Sequence, residues 1–207
     1  MTSKTALHIV SIILLLLLSG SCKERGKSAR SILPKGAELH TGDVVFRLGG
    51  GVTSHAVLFA DRNGMYSHVG IVVDSAGMKM IVHAVPDEPD FEGDPDRVKM
   101  ETPERFYSSV NALNGAVCRP TSPQVAAEAA RYAVRTYLRG TLFDHEYNGN
   151  DTMQMYCTEL IVHAFAHAGH PLVGKPQHDF QIPGKRVVCW LPSDIYRSDY
   201  VKPVIIF

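Results

Sequence analysis

The sequence has no surplus of either charge: 21 Lys and Arg are matched by 21 Asp and Glu over 207 residues. Nucleic-acid binding would need a basic excess, and steering of a partner by net charge needs an imbalance; both are excluded. No internal repeat is present, and no low-complexity segment lies beyond the leader. The longest apolar run, Ile9 to Leu18, is broken only by Ser11, about half the ~20 residues that cross a bilayer as a helix. Gly49–Gly51 is not followed by the Lys-Ser/Thr of a phosphate-binding loop, and His145-Glu146 lacks the later His of a zinc-protease motif. His163 and His167 stand four apart, but Ala-Phe-Ala between them supplies no Glu base, so no metal or other cofactor is expected.

What remains is a globular composition, 45% hydrophobic and 20% charged, of a length that fits one core. Lys4, the short apolar run and the small residues Ser19, Gly20 and Ser21 precede Cys22, an arrangement of charged, apolar and small regions typical of export signals. It resembles a bacterial lipoprotein signal, with Ser19 where the usual pattern has Leu. The expected organisation is a signal over 1–21, a tether over 22–35 beginning at a lipidated Cys22, and one domain over 36–207. The expected location is the cell envelope, with the membrane reached through the lipid.

Four cysteines occur, Cys22, Cys118, Cys157 and Cys189. With Cys22 lipidated, three are left, and an odd number leaves a free thiol. Cys118 and Cys189 sit in apolar strand-like runs, as core residues or as a pair.

Short apolar runs read as strands: Val44–Phe46, Ser67–Val73, Met80–Val85, Arg97–Glu101, Ala116–Arg119, Val187–Trp190 and the C-terminal VKPVIIF. DSAGMK between the second and third makes them a hairpin. TSHAVLFA reads as a short helix capped by Thr53 or Ser54. A long helix starts at the Ser122 cap, with Pro123 in its first turn and Gly140 after its end. Another covers Tyr156–Ala168, and PSDIYRS is a short one. PDEPDFEGDPD, from Pro86, is an acidic loop. Strands and helices grouped apart indicate α+β.

Cys157 lies in the first turn of its helix, where unpaired N–H groups and the helix dipole favour a thiolate. A thiol nucleophile needs a base in reach and a group that orients the base. Histidine suits the base, and His68 and His83 are set apart from the other eight by standing in the apolar hairpin. With the turn at Ser75–Gly77, they fall near each other on adjacent strands. Satisfied core histidines and a small buried cysteine are the bland alternatives.

GDVVFRLGGG, YSHVGIVV, MIVHAVP, LFDHEYN and YCTELIVHAF, in that order, resemble the permuted papain-like NlpC/P60 hydrolases of the YiiX/YebB-like kind. The resemblance implies a small antiparallel barrel-like sheet with helices packed on one side. It implies Cys157 as nucleophile, His68 as base and His83 as the third polar member. Asp144 falls near a substrate position, where it binds substrate or caps a turn, and Glu159 supports the nucleophile's helix. The implied reaction cleaves an amide through a thioester, in a small peptide, a peptidoglycan fragment or an N-acyl amino acid. A lipid acyl transfer or esterase reaction with the same triad, and a catalytically silent envelope binding module, are the other readings.

Overall fold

The computed structural model describes residues 30–207 except 63, 148, 150, 151 and 183. The leader and Cys22 lie outside these residues.

Eight strands are formed: β1 (Val44–Leu48), β2 (His68–Ser75), β3 (Met78–Val85), β4 (Arg97–Glu101), β5 (Asn114–Pro120), β6 (His178–Ile182), β7 (Lys185–Cys189) and β8 (Val201–Ile206). Five helices accompany them: α1 (Val52–Ala60), α2 (Pro103–Phe106), α3 (Pro123–Leu138), α4 (Cys157–His167) and α5 (Pro192–Tyr196). Six strands make one sheet in the order β4-β3-β2-β1-β5-β8, every pairing antiparallel, and β6–β7 is a separate hairpin. The class is α+β. The expected barrel is open: β4 and β8 are the two edges of the main sheet.

Strand alternation divides the apolar residues between two faces. Val44, Phe46, Val69, Ile71, Val82 and Ala84 face the cluster that takes in α3 and α4, whereas Val45, Val72, Ile81 and Val117 face Phe106 and Tyr107. The second face is covered by α2 and the N-terminal segment, so helices lie on both sides rather than one. Ile32 and Leu33 pack there, Ser31 bridges Ser108, and the Ile32 amide donates to the Tyr107 carbonyl at 2.8 Å. The last part of the expected tether, from Ser31, is therefore docked on the domain. Apolar side chains in SILP give it a reason to dock.

Local chemistry accounts for the element ends. Ser122 Oγ accepts from the Val125 amide, and Gly140 follows α3 at φ +71°. α1 starts two or three residues earlier than a Thr53 or Ser54 cap implies, at Val52, with Gly51 as its cap and no side-chain capping bond. β2 and β3 are joined by Ala76 (φ +53°) and Gly77 (φ +81°), a two-residue turn whose twist matches the strands. β6 was not expected, because HDFQI is short and holds only two apolar residues, Phe180 and Ile182. Cys118 and Cys189 are free and buried, not bonded to each other.

Gly42 sits at φ +87°, and a Cβ there would lie 2.4 Å from the backbone oxygen of Ala126 in α3. This close approach seats α3 on the sheet beside the Asp43–Arg119 ion pair (2.9 Å). Gly42→Ala is expected to cost about 2 kcal/mol or more, from a strained φ together with a backbone clash, read as a lower urea midpoint at unchanged slope.

Candidate active site

Five of the ionisable side chains on the sheet's second face stand together across β1 to β4. Arg47 on β1 is the cross-strand partner of His68 on β2, and His83 on β3 is that of Lys99 on β4. Glu101 stands two residues on from Lys99. All five are buried, His83 completely.

The hairpin register places Ile71 opposite Val82, so continuing it places Gly70 opposite His83. A Cβ on Gly70 would fall 2.8 Å from the Ile81 side chain and 3.2 Å from Cβ of His83. The absence of that carbon lets the His83 ring lean over β2 toward His68. His68 Nε2 and His83 Nδ1 are 2.8 Å apart, the rings nearly perpendicular. His83 Nε2 approaches Glu101 Oε1 at 3.1 Å, and Arg105 Nε approaches Glu101 Oε2 at 3.1 Å. Sequence reasoning reached His68 and His83 but not Glu101. The Arg97–Glu101 strand was legible; its register against β3, which carries Glu101 to His83, was not.

Charges surround this row. Arg47 donates to the Phe106 carbonyl (2.8 Å), lies over the Phe106 ring and pairs with Glu88. Lys99 bonds the Glu88 carbonyl (2.6 Å) and Asp90 (3.0 Å). Arg105 pairs with Asp90. The acidic loop thus supplies the counter-charges for a buried basic cluster, a role its composition hid.

The thiol comes from the other side of the sheet. Tyr156 is the cap of α4 and Cys157 its first residue. Glu159 is fully buried, and its Oε2 accepts from the Tyr156 amide at 3.3 Å, which ties down the start of the helix. The Val72 amide donates toward β1, to Asp43. By alternation the Val69 amide points the other way, toward β3. Pairing with β3 begins only at Ile71, so this amide is left over in a gap between the strands. Cys157 lies beside it: the Thr158 hydroxyl is 3.8 Å from its sulfur, and the neighbouring backbones of Val69 and Thr158 act to lower the thiol's pKa. The nucleophile candidate is thereby seated beside the residue adjoining His68, without a direct hydrogen bond to the imidazole.

Electrostatics differ from the dipole expectation. Burial pushes the Cys157 thiol up, outweighing the lowering by the Thr158 and Val69 bonds and by Arg47. Burial also pushes His68 well below the usual imidazole value, helped by Arg47 and His83. His83 is likewise held well below it by burial, then by Arg47 and Lys99. The resting pair is a neutral thiol and a neutral imidazole. Cys118 and Cys189 are pushed up to about 12, mainly by burial, with no comparable set of donors.

The other sequence candidates lie elsewhere. Asp144 is buried and accepts from the Glu146 amide at 2.8 Å, as a turn cap. His163 lies 3.4 Å from Glu159, and His167 contacts Arg135 at 3.0 Å.

Two hollows flank α1. One, about 400 Å³, is lined by Arg47, Gly49–Gly51, His68, Glu88 and Asn111. Ser67 Oγ accepts from the Gly49 amide (3.0 Å) and holds its glycine wall. The other, about 580 Å³, is lined mainly by apolar groups, among them Val57, Phe59, Phe180, Trp190 and Leu191, and reaches Tyr156 and Thr158 on either side of Cys157.

No protein-family model matches the chain, nor does any curated protein. A crystal structure of the metalloprotein YiiX from Escherichia coli O157:H7, a DUF1105 protein, is similar at a TM-score of 0.63 and 18% identity, over 82% of this chain and 98% of that one. At that identity the likeness shows the fold alone. Among the described residues no group of three or more His, Cys, Asp or Glu is arranged to hold a metal ion, and the two imidazoles direct their facing nitrogens at each other. The described residues around the imidazoles offer no three-ligand set for a metal ion. No helix among the described residues is long and apolar enough to cross a membrane.

Two imidazoles that refuse protons in the folded chain set a pH dependence. The unfolded chain takes these protons below about pH 6.5, so the histidines' contribution to stability is complete above that value and is lost as pH falls toward the folded values. Urea unfolding at pH 7.5 and 5.5 is expected to show lower stability at pH 5.5, with a smaller difference in His83→Gln.

Proposed function

We propose that this chain is a cysteine hydrolase of the permuted papain-like kind that cleaves an amide bond. One observation carries the reading: Cys157 begins a helix beside Val69, the residue adjoining His68, and the His68 ring is held by His83 through a 2.8 Å contact. A structural cysteine has no need of thiolate-directed donors, nor a structural imidazole of a second one behind it.

With His68 Nε2 engaged by His83, Nδ1 is the nitrogen left for the thiol. His68 Nδ1 takes the Cys157 proton as the sulfur attacks the carbonyl carbon. The amide of Cys157, at the first helical position, has no intrahelical acceptor and is placed to stabilise the oxyanion, a contribution of about 3–4 kcal/mol when preorganised. His68 then gives its proton to the leaving nitrogen, the C–N bond breaks, and a thioester remains. Water, deprotonated by His68, releases the acid and restores the thiol. Because the resting pair is neutral, proton transfer accompanies attack rather than preceding it.

The flanking hollows bear on the substrate. The polar one reaches His68, which protonates the leaving group, and Arg47 lines it; an amine or amino-acid portion suits that side. The apolar one adjoins Cys157, where the acyl part ends as a thioester. A second reading is favoured by this groove: an acyl-chain substrate, as a lipid amide or ester, with hydrolysis or transfer of the chain. A leader that puts lipid on Cys22 would hold either activity at the envelope.

Cys157→Ala and His68→Ala should each lower kcat/KM by about 10³-fold or more on a panel of cell-wall peptides and N-acyl amino acids, with product masses as readout. Full activity in Cys157→Ala would end the hydrolase reading. For the second reading, acyl chains from two to twelve carbons should raise kcat/KM by roughly threefold or fourfold per methylene until the groove is filled, since each buried CH₂ contributes about 0.8 kcal/mol. A flat response would exclude it.

A further inference from the structure

We infer that Glu101 is a positioning residue that sets the proton arrangement of both imidazoles, and so decides whether His68 is able to accept the Cys157 proton. This role rests on the hydrolase reading above. It is a consequence of the order in which polar atoms meet along β2, β3 and β4.

An imidazole that takes a proton on Nδ1 must carry its own on Nε2. His68 Nε2 faces His83 Nδ1 at 2.8 Å, so one of these nitrogens donates and the other accepts. Nothing in that pair alone selects the direction. The selection comes from behind: His83 Nε2 faces Glu101 Oε1 at 3.1 Å in a wholly buried setting. The approach is off the line of a straight hydrogen bond, and neither atom has a better-aligned partner among the described residues. A carboxylate only accepts. Set against a bare ring nitrogen it would oppose lone pair to lone pair, and set against N–H it is attracted. The proton of His83 therefore lies on Nε2, its Nδ1 accepts from His68 Nε2, and His68 Nδ1 is left bare.

Arg105 flanks the acid's other oxygen. Its Nε lies 3.1 Å from Glu101 Oε2, also off the line of a straight hydrogen bond, and its charge attracts that oxygen. Burial pushes the Glu101 carboxyl up, Arg47 on β1, Lys99 on its own strand and Arg105 on α2 act to lower it, and Asp90 and Glu88 of the acidic loop also face it. Among them it is the carboxylate at contact distance from an imidazole of the row.

Glu101→Gln keeps the shape and reverses the logic. Its oxygen is drawn to the Arg105 donor, which turns the NH₂ toward His83 Nε2. That nitrogen must then accept, the His83 proton moves to Nδ1 and is donated to His68 Nε2, and His68 carries its proton on Nδ1, where it blocks the thiol. The experiment is ¹⁵N NMR of histidine-labelled protein at pH 8, with His68→Asn and His83→Asn spectra for assignment. It is paired with the alkylation rate of Cys157 by iodoacetamide, read by mass on its peptide. The wild type should show both rings protonated at Nε2. Glu101→Gln should show His68 protonated at Nδ1 and Cys157 alkylated at least about tenfold more slowly; inverting the tautomer in a Ser-His-Asp triad costs about 10⁴. His68 protonated at Nδ1 in the wild type overturns the inference without need of any variant. So does a Glu101→Gln protein whose His68 remains protonated at Nε2. If the tautomers follow Glu101 while Cys157→Ala retains full hydrolysis, it is the functional reading that falls. If Cys157→Ala abolishes hydrolysis while the tautomers ignore Glu101, the positioning role falls alone.

Discussion

Burial of ionisable groups on one face of a β-sheet is the constraint around which this molecule is arranged. An unpaired buried charge is far more costly than a paired one, so each of Arg47, Lys99 and Glu101 requires a counter-charge brought from elsewhere in the chain. That requirement explains the acidic loop after β3, whose Glu88 and Asp90 reach back to Arg47, Lys99 and Arg105. It also explains why α2 lies over this face, since its Phe106 offers a carbonyl to Arg47 and a ring to both histidines. Three cations and three acids close the network around two neutral imidazoles.

The same constraint separates what could be read in the sequence from what could not. The hairpin, the helix carrying Cys157 and the long Ser122-capped helix announce themselves through local signals: turn residues, caps and apolar period. His68 and His83 were legible because their separation of fifteen residues folds back through one tight turn. Glu101 and Arg47 were not, because each joins the row through a pairing across a loop or between strands distant in sequence, and a loop hides the register. Asp144 and Glu159 show a further limit. Asp144 reads equally as substrate contact or turn cap, and its bond from the Glu146 amide is of the capping kind, while Glu159, read as support for the nucleophile's helix, bonds the Tyr156 amide at its start.

Glycine at position 70 links fold to site most directly. β2 reads Ser-His-Val-Gly, and each position does something different. Ser67 holds the glycine-rich wall, His68 faces the polar hollow, and Val69 buries its side chain under α4 while its amide lies beside the sulfur. Gly70 withdraws so that His83 is able to lean across. A strand pairing fully with β3 from its first residue would have taken the Val69 amide, beside the sulfur, into the ladder. The late start of the β2–β3 ladder, at Ile71, is therefore part of the site.

The electrostatics of Cys157 and His68 run in opposite senses around one guanidinium. Arg47 stabilises a thiolate and opposes an imidazolium, so it adds little to the cost of moving a proton from one to the other. What it lowers is the energy of a thiolate beside a neutral imidazole. Burial acts differently, raising the cost of charge on both partners. A substrate that fills the two hollows excludes water still further, so the fixed donors at Val69 and Thr158 and the neutralising row behind His68 must compensate for the lost hydration. An enzyme on this plan gains nothing from a permanently ionised thiol. It gains from a proton whose direction of travel is settled beforehand, which under the role proposed for Glu101 would be set two strands away from the sulfur.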